Sequence, residues 1–194
     1  GQDVKLAVIV QKMVNSEKSG VIFSKDPSYK NENVMIEAVF GLGEGIVSGR
    51  ITPDRYIVSS DLKILEKKIS NKKIALIRTP DRKKNEIKLT EEKSKSQALK
   101  ETEVKKLAEI ALKLEKHYKK PQDIEFAIEG DEIYIVQTRA ITTIGKRTDL
   151  ANVKELKGEI VLEGLAASPG IGFGKTKIVK SLEDLEKITT GDVL

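Results

Sequence analysis

The sequence predicts an α+β fold with a mainly antiparallel sheet, on three observations. Short apolar runs between Leu6 and Phe40 are separated by turns too short for the crossover that a parallel pair requires. Residues 123–139 alternate apolar and polar positions on both sides of a Gly130-Asp131 turn signal. One stretch, 102–120, carries the apolar spacing of an amphipathic helix.

Composition narrows the class. At 194 residues with 39% hydrophobic content the chain can bury a real core, as one large domain or as a domain and part of another. Its 35 basic and 30 acidic residues leave a net charge of only +5, and no aromatic-interleaved basic patch accompanies it, so nucleic acid is not an expected partner. The absence of cysteine excludes disulfides, thiolate catalysis and Cys-based metal sites. No apolar run approaches the length of a membrane span and no signal peptide is visible. The expected class is therefore a soluble, cytoplasmic protein.

In chain order, Leu6-Ala7-Val8-Ile9-Val10 is a continuous apolar run of the kind found in buried strands. Val21–Ser24 forms a second strand, ended by Pro27, and Val34–Phe40 a third. Glu37 interrupts that third run, so it lies on a sheet edge or has a partner. The glycines of Gly41-Leu42-Gly43-Glu44-Gly45 lack the third glycine of a dinucleotide fingerprint, since position 46 is Ile46. They fit a tight strand-to-helix corner or a loop whose backbone approaches a ligand. Arg55–Val58, Leu62–Ile69, Ile74–Ile77 and Glu86–Leu89 read as further short strands, and 91–100 as a charged loop. A helix starts with Thr102 as candidate N-cap and carries Val104, Leu107, Ala111, Leu114 and Tyr118 on one stripe until Pro121 ends it. His117, the single histidine, sits in its last turn and reads as a packing or capping residue. A polar segment reaching Gly158 marks a domain boundary, after which Glu159–Leu162 restarts a strand. Gly174-Lys175-Thr176 is not a phosphate-loop, because Pro169 replaces the required glycine and a strand follows.

The 123–139 hairpin carries the chemistry. With Gly130, Asp131 and Glu132 as a three-residue loop, Glu125 faces Gln137 and Asp123 faces Arg139, all four on one sheet face. Ile124, Phe126, Ile128, Tyr134 and Val136 then occupy the other face. A two-residue loop would slip the register and scatter the cluster. Two carboxylates, an amide and a guanidinium are hard-cation and phosphate-binding groups; an Asp123–Arg139 ion pair on a solvated face is the alternative.

Six segments in one order carry a resemblance: Val10-Gln11-Lys12-Met13-Val14, Ser19-Gly20-Val21-Ile22-Phe23-Ser24, Gly41-Leu42-Gly43-Glu44-Gly45, Pro53-Asp54-Arg55-Tyr56, Pro121-Gln122-Asp123-Ile124-Glu125-Phe126 and Val136-Gln137-Thr138-Arg139. Together they resemble the phosphoenolpyruvate synthase (pyruvate, water dikinase) family of phosphoenolpyruvate-utilising enzymes. The resemblance implies that residues 1–145 are the C-terminal part of an ATP-grasp nucleotide-binding domain and 146–158 a linker. Residues 159–194, with Ala167-Ser168-Pro169-Gly170, would be the first strands of an incomplete swivelling phosphohistidine domain.

It further implies ATP and Mg²⁺ as cofactors and pyruvate as acceptor in the parent enzyme. Gln11, Glu125, Gln137 and Arg139 would bind the nucleotide. Glu125, with Gln137 and Asp123, would hold the metal, and Gln137 and Arg139 would act on the phosphates in catalysis. The N-terminal half of the ATP-grasp domain, the phosphohistidine and the pyruvate-binding barrel have no counterpart in these residues, so the remainder of the same polypeptide is an expected partner and the chain alone an inactive piece. Homo-oligomerisation stays open. A non-catalytic assembly module with a vestigial site is the alternative, as are the related pyruvate phosphate dikinases and antibiotic phosphotransferases, which differ in acceptor.

Overall fold

The structure is a computed structural model that describes residues 7–27, 32–79, 81, 83–141, 174–178 and 188–193. The chain divides into two compact units, residues 1–144 and 145–194.

The first unit is built on a six-stranded sheet. Its strands are β1 (Lys18–Phe23), β2 (Val34–Phe40), β3 (Asp54–Val58), β4 (Ile64–Lys68), β7 (Gln122–Glu129) and β8 (Glu132–Ala140), in the spatial order β4-β3-β2-β1-β7-β8. Every neighbouring pair is antiparallel. The mainly antiparallel α+β architecture expected from the closely spaced runs is what forms. A second, two-stranded sheet pairs β5 (Ile74–Arg78) with β6 (Lys84–Lys88). Helix α1 (Glu44–Val47) turns the corner after β2, α2 (Glu91–Lys95) follows β6, and α3 (Glu101–Tyr118) leads into β7.

Alternation along the strands explains the layering. Ile22, Ile36, Tyr56, Ile124 and Phe126 point to one face, where Val104, Leu107, Ala108 and Ala111 of α3 pack against them as the main core. On the opposite face lie Val21, Glu37, Arg55, Asp123 and Glu125. A smaller cluster of Val39, Ile51 and Leu76 joins β5 to β2. Gly41 makes that junction possible: its φ is +80° and an added Cβ would stand 2.1 Å from the Leu76 carbonyl oxygen.

Four expectations are corrected. The run Val8-Ile9-Val10 forms no strand and is 85–95% exposed. An apolar run reads as a strand whether or not a partner strand exists, and no described strand pairs with this one. The helix begins two residues earlier than expected: Lys100 is the N-cap and its N–H donates to the Glu103 carboxylate at 2.6 Å, while Glu103 also accepts from Lys18 at 2.7 Å. Within the expected loop 91–100 lies α2, capped by the Thr90 hydroxyl, which accepts from the Lys93 N–H at 3.2 Å. The hairpin turn, fourthly, has two residues and not three, as described below. His117 makes an edge contact with the Tyr118 ring at 4.8 Å. In the second unit β9 (Lys175–Thr176) pairs parallel with β10 (Asp192–Val193), so Gly174-Lys175-Thr176 runs into a strand. The expected linker 146–158 and the strand 159–162 lie outside the described residues. Among the described residues no helix is long and apolar enough to cross a membrane.

Candidate functional site

The β7–β8 register holds a compensated slip. Glu129 pairs with Glu132, so the loop is the two residues Gly130-Asp131, with Gly130 at φ +61° as a glycine-first hairpin turn requires. The pairing runs Ile128–Ile133, Ala127–Tyr134 and Phe126–Ile135, then shifts, and continues as Glu125–Gln137 and Asp123–Arg139. Val136 is the extra residue of a β-bulge. The bulge restores the offset that the shorter loop removed, so Asp123, Glu125, Gln137 and Arg139 share a face after all. The correction falls on Tyr134, which lies opposite Ala127 on the same face as the polar set. Ile135 moves to the core side and Val136 to the rim of a cleft.

Asp123 and Arg139 form an ion pair. The guanidinium Nε donates to Asp123 Oδ2 at 2.8 Å, and an Nη atom lies 2.6 Å from the same oxygen. The Arg139 side chain is 70% exposed. Its pKa is raised by the Asp123 hydrogen bond and charge, with Glu125 adding to it, so the guanidinium stays cationic. Glu125 is half-buried and makes no ion pair among the described residues.

Across the sheet the same row continues from Glu125 through Val21 to Glu37 and Arg55. Glu37 is therefore on an interior strand with Arg55 opposite, which answers why a carboxylate interrupts that apolar run. Burial pushes its pKa up, and the Arg55 charge pulls the other way without prevailing.

A cleft of about 490 Å³ opens on this face. Gln11, Met13, Leu42, Arg78 and Glu125 are among its lining residues. Gln11 sits on the irregular segment 7–16 and its amide donates weakly to the Val136 carbonyl at 3.4 Å. The cleft thus brings Gln11 and Glu125 together, while Gln137, Arg139 and Asp123 lie further out along the hairpin. Among the described residues no three acidic or histidine side chains form a closed metal cage. One unpaired carboxylate with an amide opposite still suits Mg²⁺, which keeps waters and takes one or two carboxylates together with phosphate oxygens.

Sequence reasoning missed two features. Asp54 and Lys72 form a wholly buried ion pair. Asp54 also accepts from the Ser70 N–H at 2.9 Å and the Ala98 N–H at 2.7 Å, fastening β3 to the segments before β5 and α3. Asp54 belongs to the segment Pro53-Asp54-Arg55-Tyr56, but nothing separates Lys72 from its neighbour Lys73 in the sequence. Arg78, at the end of β5, gave no signal either.

The profile of the family described as pyruvate phosphate dikinase, AMP/ATP-binding domain, matches residues 1–159. A probable phosphoenolpyruvate synthase of Archaeoglobus fulgidus is 49% identical over 197 residues, covering 100% of this chain and 26% of its own length. A phosphoenolpyruvate synthase of Pyrococcus furiosus is 42% identical, covering 98% of this chain and 25% of its own length. For a probable phosphoenolpyruvate synthase of Methanocaldococcus jannaschii the identity is 40%, with 98% and 16% covered. The chain spans about a quarter or less of the length of these relatives.

Proposed function

The chain belongs to the pyruvate phosphate dikinase AMP/ATP-binding domain family, and from that premise we propose that its β7–β8 face and the adjoining cleft form part of an Mg-ATP site. In this reading the chain is part of a cytoplasmic dikinase that makes phosphoenolpyruvate from pyruvate through a phosphohistidine, and it contributes Mg-ATP binding and phosphate contacts to that enzyme. The relatives named as phosphoenolpyruvate synthases support the reading. The observation that carries the site is the bulged hairpin, which sets a free carboxylate, Glu125, opposite an amide, Gln137, one row from the Asp123–Arg139 pair.

The residues divide the work by their chemistry. Glu125 supplies a hard oxygen to the cation, and Gln137 can accept from metal-bound water or donate to a phosphate oxygen. Bound Mg²⁺ would neutralise phosphate charge. Arg139 keeps donors free beyond those given to Asp123 and can grip a phosphate oxygen without losing its orientation. Asp123 is a positioning residue that holds the guanidinium in place. Gln11 and the apolar side chains Met13 and Leu42 at the cleft suit the nucleoside end. In phosphoryl transfer, positioning and charge neutralisation are most of what a protein contributes.

NMR titration of the chain with Mg-ATP tests this. Amide shifts should concentrate at 11–14, 123–126 and 136–139; shifts confined to other strands, or none at millimolar nucleotide, would refute the site.

A further inference from the structure

We propose that Arg78 is an additional anion-contacting residue of the cleft, gripping the phosphate tail of a nucleoside polyphosphate from β5. The inference rests on the nucleotide reading above and adds to it a residue from the separate β5–β6 sheet.

Four observations carry it. Arg78 lines the cleft together with Glu125 and Gln11, though it belongs to a different sheet. Its position is fixed, since β5 is tied to the main sheet by the Leu42 N–H donating to the Leu76 carbonyl at 2.7 Å and by Leu76 packing on Val39 and Ile51. Its Nε is buried and has no hydrogen-bond partner, and among the described residues the guanidinium makes no ion pair. The nearby acids do not account for it: Glu44, which also lines the cleft, is taken by Lys84, the cross-strand neighbour of Arg78. Arg78 also borders a smaller hollow behind the segment 15–18, and there Glu17 accepts from the Gly130 N–H.

A buried donor without an acceptor is an energetic cost that an anion in the cleft removes. The distribution of charge names the anion. Arg78 and Glu125 line one cleft, carry opposite charges and are not paired with each other. A ligand that is anionic where it meets Arg78 and carries a cation where it meets Glu125 satisfies both, and a metal-bound polyphosphate is such a ligand. A planar guanidinium also suits the bidentate geometry of a phosphate better than an ammonium does.

The test is an affinity series on the 194-residue chain, by NMR titration with Mg²⁺ present, using adenosine, AMP, ADP, ATP and inorganic tripolyphosphate. In the wild type, affinity should rise along the nucleotide series. Arg78→Gln should weaken ATP and tripolyphosphate binding about tenfold, the scale of one charge-assisted hydrogen bond, while adenosine binding stays unchanged. Arg78→Lys should recover part of the loss and guards against a variant that fails to fold. Equal loss for adenosine and ATP, or no loss for ATP, overturns the proposal. Wild-type binding of ATP that Arg78→Gln leaves intact refutes Arg78 alone. Binding of tripolyphosphate but not nucleotide, abolished in Arg78→Gln, would sustain Arg78 and refute the nucleotide reading; binding of neither refutes both.

Discussion

Replacing Lys72 with Met should cost this protein more stability than any surface change. Both side chains of the Asp54–Lys72 pair are 0% exposed, and the Lys72 ammonium also donates to the Ser70 carbonyl at 3.0 Å and stands 5.6 Å from the Phe40 ring centroid. Taking the ammonium away leaves a buried carboxylate held by the Ser70 and Ala98 amides without its counter-charge. Breaking a buried pair from one side costs about 3–5 kcal/mol. For a chain of this size that is a fall in Tm of roughly 6–20 °C. Urea unfolding followed by far-UV circular dichroism measures it, with Asp54→Asn and the double variant closing a cycle. The double variant holds no unpaired buried charge and should lose much less than the sum of the singles, with a coupling of about 2 kcal/mol. High salt should leave the coupling intact, because a buried pair is little screened. Additive losses, with coupling under about 0.5 kcal/mol, would refute the account.

Two further outcomes are expected. Glu37 has a pKa raised above its ordinary 4.5, chiefly by burial, so the folded state holds this proton more tightly than the unfolded chain. Stability contributed by that proton is lost as pH rises from 4.5 through the raised value, and Glu37→Gln should gain stability over wild type at pH 7 but not below pH 4.5. Urea midpoints at pH 4 and pH 7 decide this, and a gain that is the same at both would contradict it. Gly20→Ala should destabilise by about 1–3 kcal/mol or more. An added Cβ there meets the Glu37 carbonyl oxygen at 1.9 Å and the Phe126 ring at 2.8 Å, and the carbonyl cannot yield without moving β2. A thermal melt matching wild type would show that this approach is looser than described.

Much of the sheet was legible because strands with one packed face write their alternation into the sequence. β7, β8 and the apolar stripe of α3 show such a periodicity, whereas β1 to β6 show as short runs between turns. The run 8–10 misled for the same reason, since hydrophobicity announces burial without naming what provides it. α2 was missed because Glu91-Glu92-Lys93-Ser94-Lys95 has no apolar period; only the Thr90 cap marked it. The hairpin is the most instructive case. The loop was read one residue too long, and the bulge at Val136 was not read at all. The two errors cancel at Glu125–Gln137 and not at Tyr134, so the polar cluster survived while its apolar surroundings were misplaced. The Asp54–Lys72 and Arg78 features depend on contacts between segments distant in sequence, where local pattern carries no information.

The central claim is that Glu125 holds the cation of an Mg-ATP complex on the β7–β8 face. Its most direct measurement is the Mg²⁺ dependence of ATP binding by wild type and Glu125→Gln, read from the NMR shifts of residues 123–126 and 136–139. The account predicts that Mg²⁺ tightens ATP binding in wild type and that Glu125→Gln abolishes this increment while metal-free binding persists. An undiminished Mg²⁺ increment in Glu125→Gln would contradict it.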